Sequence, residues 1–265
     1  MTEIRNYDLL EIFKDTLTKS QILYQDATDT LVDQDTIVYT EHIDDTLVDR
    51  KAGKMRLKVV NAGTVETGRK LIRKGKTAIL NFADALVPGG LVWAGATTQE
   101  ENICRCSNLY ASISSDKARE LYYDVNGKDI GQTRYGVYTD NIIYSRDVLF
   151  FKDDTYYKKV RPYCMDVITC PAPSCKLPSN NEFDVTYTRV CEILKSAAIN
   201  DVKNIVLGAW GCGAFGQNPY IVSACFKRAL AEYPVFDNVV FAIRSCEADY
   251  DKTTNFRVFK TTFRG

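Results

Sequence analysis

The sequence predicts an α/β fold with a largely parallel sheet buried on both faces, and three observations carry that prediction. Short apolar runs recur at 57–60, 77–82, 165–170, 204–209 and 239–243, each of strand length and without polar alternation. Such runs suit strands covered on both sides. Helix-length amphipathic segments separate them, which is the βαβ pattern. Two glycine-rich stretches, at 88–95 and 208–216, each follow a strand and precede a helix. In open α/β sheets, ligands bind at the C-terminal ends of the strands, where these loops fall.

The elements follow in order. Residues 3–20 carry apolar positions at 9, 10, 12, 13 and 17 and predict an amphipathic helix. Residues 21–50, rich in Thr and Asp, read as an extended arm with a short apolar run at 36–40. After the strand at 57–60, a helix is expected to about Lys74. The strand at 77–82 leads through the first glycine loop into a helix from Gln99 to about Ser114. Residues 116–135 read as helix and then loop, and 141–144 with 148–151 as a β pair turning across Ser145-Arg-Asp. The strand at 165–170 is stopped by Pro171 and Pro173. Helices are expected at 184–199, with Tyr187, Val190, Cys191, Leu194 and Ala198 on one face, and at 219–233. No repeat or linker marks a domain boundary. The 1–50 arm is expected to pack on a domain spanning 51–265 as one unit.

Composition narrows the function classes. The chain has 265 residues, and its 34 Lys plus Arg balance 34 Asp plus Glu, so broad attraction to nucleic acid or an anionic membrane is not expected. An anionic small ligand would have to be held by local dipoles and placed groups. Nine cysteines show no framework, and the pairs Cys104/Cys106 and Cys170/Cys175 lack zinc spacing. The single histidine, His42, disfavours His-based triads and His-ligated metals. No signal peptide and no run of about 18 apolar residues is seen, so a reduced cytoplasmic protein with free thiols is expected.

Two constellations carry chemistry. In Gly208-Ala-Trp-Gly-Cys-Gly-Ala-Phe-Gly-Gln-Asn-Pro219, Asn218 suits an N-cap and Pro219 the first helical position. Gly211, Gly213 and Gly216 let backbone amides approach a diphosphate, although a tight strand-to-helix turn explains them as well. Cys212 is the one cysteine placed in such a loop, and Phe215 the aromatic best placed to stack on a ribose or base. Trp93, Trp210 and Tyr220 also fall near the two loops, with core packing the default for each. The other constellation is Gln99-Glu100-Glu101 after Gly89-Gly90. Thr98 with Glu101 fits a capping box, and acids suit a first helical turn, which needs no function. Beside a bound phosphate, an acid in this place is instead a candidate proton donor. A helix start lowers a carboxyl pKa, whereas a bound diphosphate and a water-poor cleft raise it.

These residues resemble the microbial-type poly(ADP-ribose) glycohydrolase family, a branch of the macrodomain fold. The matching stretches are Leu80-Asn-Phe-Ala, Pro88-Gly-Gly, Gly95-Ala, Gln99-Glu-Glu, Cys104-Arg and Ser107-Asn-Leu-Tyr110. Further on they are Val167-Ile-Thr-Cys-Pro-Ala-Pro173, Leu207-Gly-Ala-Trp-Gly-Cys-Gly-Ala-Phe-Gly216 and Val240-Phe-Ala-Ile243. The resemblance implies a macrodomain-like three-layer α/β/α fold with a mixed, largely parallel sheet and an N-terminal helical extension. It implies cleavage of ribose–ribose O-glycosidic bonds in poly(ADP-ribose), or of a related ADP-ribosyl linkage, with release of ADP-ribose. Glu101 would be the catalytic acid and Glu100 would hold a ribose hydroxyl. Asn81, Gly89, Gly90, Leu91 and Gln99 would line the ADP-ribose site. Gly211, Cys212, Gly213, Ala214, Phe215 and Gly216 would take the diphosphate and the distal ribose. No metal or cofactor is implied. The expected partner is ADP-ribose or its polymer, free or on ADP-ribosylated proteins, and the expected state a monomer. Two departures stand out. Leu91 replaces the third glycine of the family's loop and would narrow it or restrict its backbone, so an ADP-ribose reader with little turnover is the alternative. After the early strand, Asn61-Ala-Gly-Thr64 lacks the acid that often contacts adenine, with Glu66 the nearest substitute.

Overall fold

The computed structural model describes residues 6–50, 54–132, 136–174, 181–245 and 254–264. Positions 3–5 of the first predicted helix, 133–135 of the predicted loop, and Cys175 lie outside them. Seven strands form one sheet: β1 (Thr36–Tyr39), β2 (Arg56–Val60), β3 (Thr77–Phe82), β4 (Ile142–Lys152), β5 (Lys159–Cys170), β6 (Asn204–Leu207) and β7 (Asn238–Ala242). Their order is β1-β4-β5-β3-β6-β7-β2. The five strands from β5 to β2 are parallel, and β4 runs antiparallel to both β5 and β1. This is the mixed, largely parallel sheet that the sequence predicts.

Two apolar cores cover the two faces. Alternation along β3 sends Ala78 and Leu80 to one and Ile79 to the other. The first core packs α8 (Glu182–Ile199), α9 (Pro219–Glu232) and α10 (Asn255–Thr262). The second packs α1 (Asn6–Leu23), α2 (Gln25–Asp33), α3 (Thr64–Leu71), α4 (Gln99–Cys106) and α5 (Leu109–Ile113). Helices α6 (Asp116–Ala118) and α7 (Asp124–Gln132) flank a π-helical turn over Arg119–Tyr123. Among the described residues no helix is long and apolar enough to cross a membrane.

Four local expectations need correction. The 21–50 arm is not simply extended: α2 forms around buried Thr28 and Leu31, and 36–39 becomes edge strand β1 on β4. The helix expected over 99–114 breaks at Ser107, which bridges to Phe150 of β4, while Asn108 exchanges hydrogen bonds with Leu149. Ser145-Arg-Asp is a bulge within β4 rather than a turn. Asp147 takes φ +48° there, and its N–H donates to Asp166 Oδ1 at 3.0 Å. The true turn joins β4 to β5, with Asp153 accepting from the N–H groups of Thr155, Tyr156 and Lys158. Finally, α10 was not foreseen, although Phe256, Phe259 and Phe263 recur at helical spacing and all pack on the first core.

Candidate active site

The site forms where β3 and β6 end. Gln99 opens α4 and turns its side-chain amide onto the end of β3. Its Oε1 accepts from Phe82 N–H at 2.8 Å, and its Nε2 donates to the Leu80 carbonyl at 2.7 Å. Gln99 therefore fixes the helix start to the end of β3. The 83–98 connection folds over this junction, with Gly89 at φ +72° and Gly90 at φ +56°.

Glu100 and Glu101 are buried beneath that loop, 2% and 4% exposed. Glu101 Oε1 accepts from Leu91 N–H at 3.0 Å, and Oε2 accepts from the Thr98 hydroxyl. This arrangement replaces the capping box, since Thr98 caps no backbone N–H. A capping box would turn the carboxylate back to the Thr98 amide. Here it is turned toward the glycine loop. Glu100 accepts from Asp84 N–H at 2.7 Å and from Asn81 Nδ2 at 3.2 Å. Burial, reinforced by the negative charges of Asp84 and Glu101, pushes the Glu100 carboxyl up to about 8 against the donors of Asp84 and Asn81. Asn81 Oδ1 is buried without a partner. With Glu100 protonated, a half-turn of that amide gives the orphan oxygen a donor. Gly90 lies against both acids: a Cβ there would sit 2.8 Å from Glu101 Oε1 and 3.2 Å from Glu100 Oε2.

Leu91 does not distort the loop. Its φ is −96°, an ordinary value for a residue with a side chain, and its side chain is largely exposed. What the loop takes from this position is an N–H, and leucine supplies it.

The second glycine stretch forms a tight loop between β6 and α9. Gly211 takes φ +75°, and a Cβ there would lie 2.6 Å from Ala172. Gly216 takes φ +68° and donates to the Gly213 carbonyl at 2.9 Å. The N–H groups of Gly213, Ala214 and Phe215 donate to nothing among the described residues. Asn218 caps α9 by accepting from Tyr220 N–H at 3.0 Å, with Pro219 following. The loop is thus a ready anion cradle ahead of a helix N-terminus. Burial pushes the Cys212 thiol up to about 12, which disfavours the thiolate there. Phe215 lies 6.1 Å from the Tyr138 ring, with Tyr138 at φ +60°.

Other expected neighbours separate. Trp210 is buried and donates to the Cys170 carbonyl, whereas Trp93 packs edge-on against Phe13 of α1. Tyr220 is exposed. Glu66 pairs with Lys70 on α3. A cavity of about 180 Å³ opens beside Gln99, lined by Val65, Phe82, Ile103, Ala209 and Ile243 and also by Asp154 and Arg244. Three supports were not singled out in the sequence: Asp84, Tyr138, and Asn255 of α10, whose Nδ2 donates to the Cys212 carbonyl at 3.3 Å. Among the described residues no group of three His, Cys, Asp or Glu side chains could hold a metal.

A buried acid beside one glycine loop and a second loop with open amides both lie at the strand ends, an arrangement suited to acid–base chemistry on a phosphorylated sugar. The comparisons agree. Residues 12–153, more than half of the chain, match the family model for the microbial-type PARG catalytic domain. The poly(ADP-ribose) glycohydrolase of Thermomonospora curvata is 27% identical with a TM-score of 0.81, covering 97% of this chain and 100% of that one. The same enzyme bound to the inhibitor ADP-HPD gives 27% and 0.79 over the same shares. The Deinococcus radiodurans enzyme in complex with ADP-ribose is 29% identical with a TM-score of 0.78, over 89% of this chain and 96% of that one. No curated protein matches. The chain belongs to the microbial-type poly(ADP-ribose) glycohydrolase family, a family of glycosidases.

Proposed function

We propose that Glu101 is the general acid, and then the general base, by which this chain cleaves the ribose–ribose bonds of poly(ADP-ribose) and releases ADP-ribose. The observation that carries the reading is the pair of bonds on Glu101, from Leu91 N–H and the Thr98 hydroxyl, which hold a buried carboxyl at the glycine loop instead of in a capping box. The substrate diphosphate lies on the N–H groups of residues 213–215, which donate to nothing among the described residues, and Phe215 packs on the distal ribose. The adenosine enters the apolar cavity beside Gln99.

Glu101 gives its proton to the bridging oxygen. The bond from that oxygen to the anomeric carbon breaks with its electron pair left on oxygen, and an oxocarbenium-like sugar forms beside the diphosphate. The Glu101 carboxylate then takes a proton from water as the water adds to that carbon. The negative diphosphate favours a protonated acid before cleavage and stabilises the cationic sugar during it. Glu100 positions the distal ribose through a hydroxyl, steadied by Asn81 and Asp84.

The reading takes the chain as a monomer acting on free polymer or on ADP-ribosylated proteins. The seven described cysteines are free, which suits a reducing cytoplasm. The alternative raised by Leu91 is a reader without turnover; the ordinary backbone there and the N–H it gives to Glu101 support turnover instead. Product analysis on purified polymer tests the reading. ADP-ribose is the expected product, and intact polymer after prolonged incubation contradicts it.

A further inference from the structure

The net charge of this chain is zero. Even so, its surface gathers cations into a groove of about 750 Å³ between α3 and the first half of β5. Arg69, Lys70, Arg73 and Arg161 line it, against a single acid, Glu66. Lys70 pairs with Glu66, and Arg69 lies over the Tyr163 ring, 5.5 Å from its centre. Arg73 and Arg161 are exposed and form no ion pair among the described residues. Arg69 lies in the last turn of α3 and Arg73 in the 3-10 turn over Ile72–Lys74 that follows it.

The groove neighbours the cavity beside Gln99 through shared lining residues. A smaller hollow of about 260 Å³ beneath the β4–β5 turn shares Val65 and Asp154 with the cavity beside Gln99. It shares Glu66, Arg69 and Tyr163 with the basic groove. The acids along this path are already engaged. Asp153 accepts from the turn's N–H groups, and Asp154 pairs with Arg244 at 3.4 Å. Arg244 stands at the junction with its side chain 57% exposed.

We propose that this groove is a second binding site, for the diphosphates of polymer units that continue beyond the one held in the cleft. The proposal rests on the glycohydrolase reading and on its placement of adenosine in the cavity. The adenosine ribose is where the next unit is attached. From there the polymer passes Arg244 and lays its phosphates along Arg73 and Arg161, whose guanidinium forks match phosphate oxygens. The unit in the cleft then need not be the end of the polymer.

The test compares a two-unit ADP-ribose substrate, which leaves the groove empty, with long polymer, using the full chain and its R73E/R161E and R73K/R161K variants. Reversing the charges should raise KM on long polymer roughly fivefold or more, the scale of a few partly exposed ion pairs, with the two-unit substrate unchanged. The lysine variant should keep most of the polymer preference. An equal change on both substrates, or none on either, overturns the groove. Competition by a DNA oligonucleotide as strong as that by unlabelled polymer also overturns it, because the groove would then be a generic polyanion site. Failure of the parent protein to cleave the two-unit substrate counts instead against the glycohydrolase reading. In that case retention of labelled polymer by the parent, and its loss in R73E/R161E, still decides the groove.

Discussion

At the scale of single residues the site depends on how two adjacent acids are treated differently. Glu101 receives a loop amide and a hydroxyl, while Glu100 is enclosed with Asn81 and Asp84. Burial raises Glu100 from an ordinary 4.5 to about 8, so the folded protein keeps a proton there that the unfolded chain releases above about 4.5. The stability tied to that proton is fully present below pH 4.5 and is lost as pH rises toward 8. In Glu100→Gln, melting temperature should therefore fall less between pH 5 and 8 than in the parent; parallel curves would contradict the assignment. Leu91 gives a second expectation. Leu91→Gly keeps the N–H that reaches Glu101 and should hold kcat within a few-fold, whereas Leu91→Pro removes the donor and should lower kcat by about tenfold or more. Equal loss in both variants would mean that the side chain matters and the amide does not. The sequence shows that a glycine is replaced at 91, but not that the backbone there sits at φ −96°. A departure from a pattern becomes harmless or harmful only through a dihedral that spacing does not reveal.

At the scale of elements, the β3–α4 junction is what makes the site rigid. Strand β3 was legible because its run at 77–82 centres on Ala-Ile-Leu, and the start of α4 because Gln-Glu-Glu follows a glycine loop. The backbone contacts of Gln99 were not legible. The pattern places it in the ligand site, yet its amide closes the unpaired backbone of Phe82 and Leu80. Gln99→Ala should cost about 1–3 kcal/mol in denaturant unfolding, the price of leaving those groups unsatisfied, with a smaller effect on ADP-ribose affinity. A variant as stable as the parent but unable to bind would return Gln99 to the ligand. The failures at β4 and at the 99–114 helix share one cause. Asp147 reads as a turn residue and Asn108 as one more helix position, but each meets a tertiary partner, Asp166 and Leu149 respectively. Local propensity marks where the chain bends, and long-range pairing decides what the bend becomes.

At the scale of the whole molecule, five parallel strands bring the two glycine loops to one edge, although more than a hundred residues separate them in the chain. The fold class and both loops could be read from apolar runs and glycines. Convergence required the topology, because only the strand order places β6 beside β3. The N-terminal helix belongs to the same assembly. Buried Arg105 of α4 donates to the Leu9 carbonyl, and Lys152 of β4 donates to the Ile12 carbonyl. Zero net charge leaves ligand attraction to local arrangements, as the cradle at 213–215 and the groove at Arg73 and Arg161 illustrate. All of these arrangements serve one proton transfer, so the most direct measurement is the rate of ADP-ribose release from poly(ADP-ribose) by Glu101→Gln beside the parent, with ADP-ribose binding measured on both. The account predicts a fall in rate of about 10²- to 10⁴-fold with binding retained. Release by Glu101→Gln at the parent rate would contradict it.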